Sequence, residues 1–160
     1  MNLRIGLGYD VHQLAPGEEL WLGGILVPHD KGTVAHSDGD VLLHAICDAL
    51  LGAAGLRDIG YHFPDTDPAF KNIDSKKLLT AVNQLLLDKG YSLVNLDATI
   101  SAQKPKLKDW IPAMETVIGE LMGCATEVIN IKATTTERLG FEGREEGISV
   151  QAIVLIQKNE

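Results

Sequence analysis

The chain predicts an α+β fold in a single domain over residues 1–160, one mixed β-sheet with helices on one face, and three observations carry that expectation. Residues Leu3 to Val11 alternate apolar and small or polar as a strand does. From about Asp38 to Ala54 and Gly55 the pattern turns helical and mostly apolar. The last segment, Ile148 to Lys158, is apolar on both faces, more than a sheet with one solvated face exposes, which predicts burial against another subunit.

The elements follow in order. Leu3, Ile5, Leu7, Tyr9 and Val11 form one side of the first strand, read as half-buried, and Asp10 and His12 project together from the other. Leu20 to Val27 read as a hairpin bent at Gly23-Gly24. The apolar helix comes next, and after it Arg57 to Lys71, rich in Asp, Pro and Gly and without periodicity, reads as a long loop of the kind that often carries function. Asp74 and Ser75 cap an amphipathic helix with Leu78, Leu79, Val82, Leu85 and Leu86 inward and Gly90 as its stop. A strand from Ser92 to Gln103 is broken by Pro105. A third helix, Ile111 to Met122, turns Met114, Val117, Ile118 and Leu121 inward and ends at Gly123, and strands over Val128–Thr134 and Ile148–Lys158 close the order.

At 160 residues the chain can bury about 70% of its unfolded surface without disulfides or a structural metal, so a metal here would serve function. Its two cysteines, Cys47 and Cys124, sit among apolar neighbours and fit a reducing compartment. The N-terminus enters a strand at once and no long apolar run follows, which predicts a cytoplasmic protein without a membrane span. A net charge of −8 excludes a general nucleic-acid surface, which needs clustered Lys and Arg.

On the helix, Asp40, His44 and Asp48 recur every four residues along one line. One strand and one helix can therefore supply Asp10, His12 and His44, a two-His, one-carboxylate set with a position left open that suits catalytic Zn²⁺, with Asp40 and Asp48 as partners of the ligands. The plainer alternatives are a solvated strand edge for Asp-x-His and a hydrogen-bonded core histidine for His44. Lys132-Ala133-Thr134-Thr135-Thr136-Glu137 leaves a strand as a run of hydroxyls ending in a carboxylate, and hydroxyls with nearby Lys and Arg suit phosphate oxygens. Ala102-Gln103-Lys104-Pro105-Lys106-Leu107-Lys108 brings three lysines to a strand break; a solvated turn is the plainer account.

Taken together, Gly6-x-Gly8-x-Asp10-Val11-His12, Ala35-His36-Ser37-Asp38-Gly39-Asp40-Val41-x-x-His44, Asp58-Ile59-Gly60-x-x-Phe63-Pro64-Asp65-Thr66-Asp67, Ala102-Gln103-x-Pro105-Lys106, Lys132 to Glu137 and Leu139-Gly140-Phe141-x-Gly143-Arg144 resemble the 2-C-methyl-D-erythritol 2,4-cyclodiphosphate synthases. The resemblance implies cyclisation of 4-diphosphocytidyl-2-C-methyl-D-erythritol 2-phosphate with release of CMP, in the non-mevalonate route to isoprenoid precursors. It implies zinc on Asp10, His12 and His44, and a second cation, Mg²⁺ or Mn²⁺, on Glu137. His36 and Thr135 match positions assigned to transition-state stabilisation. Asp58, Ile59 and Gly60 with Phe63, Pro64, Asp65, Thr66 and Asp67 would hold the methylerythritol phosphate. Ala102 to Lys108 and Thr134 to Glu137, Thr136 included, would frame the cytidine and its phosphates, and Ser37, Phe141 and Arg144 complete the contacts.

The family is a homotrimer whose sheets pack around the trimer axis, with active sites between subunits and a central cavity that often holds an isoprenoid diphosphate. One departure is Glu145, where the family pattern has a small residue; it bears on the central channel. A zinc hydrolase, which would yield linear phosphates, and a nonenzymatic nucleotide-binding module are the other classes compatible with these motifs.

Overall fold

The computed structural model describes residues 2–159. Its order is β1 (Leu3–Pro16), β2 (Trp21–Leu22), β3 (Ile25–Leu26), β4 (Lys31–Val34), α1 (Val41–Ala54), α2 (Ile59–His62), α3 (Ser75–Asp88), β5 (Tyr91–Ser101), α4 (Ile111–Met122), β6 (Ile129–Thr134), α5 (Gly140–Gly143) and β7 (Gly147–Lys158). Five strands form a mixed sheet in the order β4-β1-β7-β5-β6, in which only β5 and β6 run parallel. That parallel pair needs a crossover, and α4 supplies it. β2 and β3 make a separate hairpin, turned at Gly23 and Gly24, both at positive φ as a two-residue hairpin turn requires.

Helices α1, α3 and α4 cover one face. Leu96, Ala98, Ile100, Ile129, Ile131, Val150, Ala152 and Val154 point toward them and are buried. α1 is enclosed on nearly every side, with Val41, Leu42, Leu43, Ala45, Ile46, Ala49 and Leu50 fully buried. It starts at Asp40, whose side chain accepts from Leu43 N–H, and stops at Gly55 in the left-handed region. None of the described helices is long and apolar enough to cross a membrane.

Strand β1 alternates as expected, but the side that faces the helices is Gly6, Gly8, Asp10 and His12, not the apolar one. A Cβ on Gly6 would stand 1.9 Å from the carbonyl oxygen of Ala49, and one on Gly8 1.8 Å from that of Ala45. α1 therefore lies directly on the β1 backbone, which a side chain at either position would prevent. Gly8→Ala is expected to lower stability by about 3 kcal/mol, the upper range for overpacking, because backbone cannot yield as a side-chain tip does. At roughly 2–4 °C per kcal/mol for a chain of this size, thermal unfolding should fall by ~6–12 °C. A variant that melts with the wild type would contradict this contact.

The apolar side of β1 is left bare. Ile5 and Leu7 are 70% and 65% exposed, Leu3, Tyr9 and Val11 are exposed beside them, and Ile153 of β7 joins the patch at 44%. On β7 the inner residues Ile148 to Ile156 are covered by the helices, while its outer face also carries Ser149 and Gln151. The surplus of apolar surface thus comes more from β1 than from the last strand.

The stretch from Arg57 to Lys71 is less irregular than its sequence suggests. Asp58 accepts from Tyr61 N–H and starts the single turn α2, and Asp67 accepts from Ala69 N–H to start a 3₁₀ turn over Pro68–Phe70. Turns this short are set by one capping carboxylate and leave no periodicity to read. The short elements β4 and α5 likewise carried no pattern.

Candidate metal centre and substrate clefts

The close seat of α1 on β1 brings His44 to Asp10 and His12. One ligand atom from each of the three lies within 4.8 Å of the others. His44 Nδ1 is 3.1 Å and His12 Nδ1 3.4 Å from the same Asp10 oxygen, Oδ2. The other nitrogen of His44, Nε2, is 2.9 Å from Ser75 Oγ and 3.3 Å from Ser37 Oγ. His12 Nδ1 is also 2.8 Å from its neighbour's carbonyl, Val11 O, which leaves Nε2 of that ring for other work.

The donor set fits a divalent cation. Ser75 Oγ donates to Asp38 Oδ1 at 2.5 Å, so toward His44 the hydroxyl accepts and Nε2 carries the proton. That leaves an unprotonated Nδ1 facing a carboxylate oxygen, two acceptors that only a proton or a metal ion reconciles. Burial opposes a charge on His44, but the hydrogen bond with Asp10 and the charges of Asp10, Asp40 and Asp38 outweigh it and hold its pKa above the ordinary value. A cation is favoured at this point whichever kind it is.

Asp40 and Asp48, expected as partners of the ligands, serve the backbone instead. Asp40 accepts from Gly23 N–H, Gly24 N–H and Leu43 N–H at 3.0, 2.6 and 3.0 Å, fastening the hairpin to the start of α1. Burial raises its carboxyl pKa although those three bonds pull it down. Asp48 accepts from Ile59 N–H at 2.7 Å and ties α2 to α1; burial raises its pKa too. The residues that do touch a ligand ring, Ser75 and Ser37, with Asp38 behind Ser75, had no signal of their own beyond a helix cap and the His36-Ser37-Asp38 run.

A cavity of about 480 Å³ opens beside the ligands. His12, His36, Ser37 and His44 line one part, and Ile59, Gly60, Phe63, Asp65 and Phe70 another. Phe63 and Phe70 meet edge to face at 5.5 Å and form an apolar wall. Asp58, Pro64, Thr66 and Asp67 stand outside these walls, Asp58 and Asp67 as the caps described above.

A second cavity, about 470 Å³, is walled by Ala102, Gln103, Pro105, Lys106, Leu107 and Lys108 on one side and by Lys132 to Thr135 on the other. Lys132 is held by Asp97, whose pKa it lowers together with Asn130, so Lys106 and Lys108 are the cations of the cavity wall without an ion-pair partner among the described residues. Lys104 instead pairs with Glu145 at 3.2 Å. At the end of this wall Thr135 Oγ1 donates to Glu137 Oε1 at 3.0 Å, Thr136 Oγ1 donates to Leu139 O, and Gln103 Oε1 accepts from Arg138 N–H. Glu137 and Arg138 both take positive φ, 53° and 65°, a strained pair of the sort that collects at ligand sites. Phe141 packs on Gly147, and Arg144 forms a two-bond pair with Glu146; both lie outside the two cavities. Glu145 has φ 58°, which accounts for the small residue expected there.

Within one chain the two cavities stay apart. His12 pairs with Ile148, while Ser101 pairs with Ser149 on one side and Thr134 on the other. β1 and β6 are thus three strand spacings apart, roughly 14–15 Å, and His12 and Thr134 fall on opposite faces of the sheet by register. His36 and Thr135 accordingly line different cavities.

Comparison with known proteins agrees with these features. The YgbB family model matches residues 3–157. A Bacteroides fragilis protein named 2-C-methyl-D-erythritol 2,4-cyclodiphosphate synthase is 61% identical over 158 residues, 99% of either chain. The structure of bifunctional IspDF from Campylobacter jejuni superposes with a TM-score of 0.95 at 44% identity, over 99% of this chain and 43% of that longer one. IspF of Plasmodium falciparum, solved as a CDP complex, superposes with a TM-score of 0.88 at 31% identity, covering 99% of this chain and 98% of that one.

Proposed function

The chain belongs to the YgbB family, and from that premise we propose that it is a 2-C-methyl-D-erythritol 2,4-cyclodiphosphate synthase. It would convert 4-diphosphocytidyl-2-C-methyl-D-erythritol 2-phosphate into the cyclic diphosphate and CMP in the non-mevalonate route to isoprenoid precursors. The observation that carries the reading is the cluster of Asp10, His12 and His44 at the mouth of a cavity walled by His36, Ser37 and the Ile59–Asp65 turn. A hydrolase would need a general base beside the cluster; the polar groups here suit a bound phosphate.

The substrate's 2-phosphate attacks its own β-phosphorus and CMP leaves, so no side-chain nucleophile is required. The attacking oxygen already bears charge. The protein's share is to curl the substrate and neutralise it. Ile59, Gly60, Phe63 and Asp65 line the space for the methylerythritol phosphate, and the cavity between Ala102–Lys108 and Lys132–Thr135 offers Lys106 and Lys108 to the nucleotide. His36 and Thr135 are the donors for charge developing at the transferred phosphoryl group. Asp10, His12 and His44 would hold zinc and Glu137 a second cation, Mg²⁺ or Mn²⁺. When bound, these ions supply Lewis-acid neutralisation of the diphosphate oxygens.

One diphosphate would have to meet both ligand sets, yet Asp10 and His12 stand on β1 and Glu137 follows β6, three strands away in the same sheet. A neighbouring subunit resolves this. We therefore assign a homotrimer with the bare side of β1 turned inward, where it would also line a cavity suited to an isoprenoid diphosphate. Two free cysteines fit a cytoplasmic setting.

Phosphorus NMR of the reaction should show CMP and the cyclic diphosphate; linear phosphates would refute cyclisation. Glu137→Gln is expected to lower turnover about a hundredfold, some 2.7 kcal/mol, with partial recovery at high Mg²⁺ and zinc content unchanged. Mild chelation should stop turnover while zinc remains bound. Full activity of Glu137→Gln without added Mg²⁺ or Mn²⁺ would remove the second-cation role.

A further inference from the structure

Ser75 is fully buried at the first position of α3, and Asp38 holds it at two points. Its hydroxyl is 2.5 Å from Asp38 Oδ1 and its backbone N–H donates to Oδ2 at 2.9 Å. The hydroxyl has one proton and a carboxylate only accepts, so that proton points to Asp38. Toward His44, 2.9 Å away, Ser75 Oγ can only accept. The imidazole is thus held with its proton on Nε2 and its lone pair on Nδ1, aimed at Asp10. Ser37 Oγ is farther, at 3.3 Å, and toward a protonated Nε2 it too accepts.

We propose that Asp38 and Ser75 are positioning residues for the metal: through the chain Asp38–Ser75–His44 they fix the tautomer and ring plane of one ligand and thereby set the affinity for zinc. The inference rests on the reading of Asp10, His12 and His44 as a zinc site. A carboxylate acting on a ligating imidazole raises its basicity and stops it turning; here a buried hydroxyl passes that influence on. The arrangement also joins α3 to the centre, so three elements, β1, α1 and α3, contribute to it.

The test is zinc affinity, measured by competition with a chromogenic chelator for wild type, Ser75→Ala, Asp38→Asn and the double variant. Each single change is expected to weaken binding, Ser75→Ala by about 10- to 100-fold. The double variant should bind no more weakly than the weaker single one, because the carboxylate reaches the ring only through the hydroxyl. Cobalt(II)-loaded Ser75→Ala should show displaced visible ligand-field bands, a change that a purely structural role would not produce. Asp38 also accepts from backbone N–H groups of Asp40 and Ser75, so Asp38→Asn can fail to fold; Ser75→Ala keeps those bonds and decides alone. Wild-type zinc affinity and an unchanged cobalt spectrum in Ser75→Ala would overturn the proposal. A wild-type protein that binds no zinc would overturn the zinc site itself, and the proposal with it.

Discussion

Alanine at His12 or His44 will leave the purified chain without the zinc proposed there and lower turnover by at least about a thousandfold. The wild type should carry one ion per chain, since one three-ligand cluster is present among the described residues. Several kcal/mol of charge stabilisation would depend on that ion, and each ~1.4 kcal/mol is a factor of ten. The fold should survive, because α1 is held against β1 by the Gly6 and Gly8 contacts and by its own buried side chains. Metal analysis after dialysis, with circular dichroism as the control, reads the outcome. Zinc affinity should also decline as the pH falls. Metal requires a neutral imidazole, and His44 keeps its proton to a higher pH than a free histidine does, so competition from protons begins at a higher pH than it would for a free histidine. If both variants retain wild-type zinc, the ligand assignment is wrong.

The cluster was legible because two periodicities converge on it. Asp10 and His12 share a strand face at spacing two, and His44 lies one turn from Asp40 at the start of a helix too apolar to sit anywhere but the core. That strand and helix meet rested on the resemblance; the structural reason is Gly6 and Gly8, which let α1 approach the backbone. The same two glycines decide which side of β1 faces the helices. Apolar alternation ordinarily marks the face a chain buries against itself, and here the glycine side took that place while Ile5 and Leu7 stayed bare. Asp40 and Asp48 fall on the line of His44, which makes them look like its partners, but spacing along one helix cannot register that the Gly23-Gly24 turn and α2 need acceptors. Ser75 lay outside the pattern because its hydroxyl reaches His44 across 31 residues of sequence.

Mixing two inactive variants will restore activity if each site is shared between subunits. Asp10→Asn removes a member of the candidate metal cluster, on β1, and Glu137→Gln alters the loop after β6, three strands away in the sheet. Either variant alone, as the proposed homotrimer, should be nearly inactive, since every site it forms contains one damaged half. In trimers refolded from equal amounts, a site is intact when its metal half comes from a Glu137→Gln chain and its nucleotide half from an Asp10→Asn chain. Random assembly in a closed ring makes that about one quarter of all sites, so turnover should return to roughly one quarter of the wild-type value. Native mass spectrometry establishes that the trimers are mixed. The alternative, a site contained in one chain, would require β1 and the loop after β6 to meet across β7 and β5, although β7 is paired along eleven residues with β1 and ten with β5. Mixed trimers as inactive as their parents would favour that alternative and defeat the shared site.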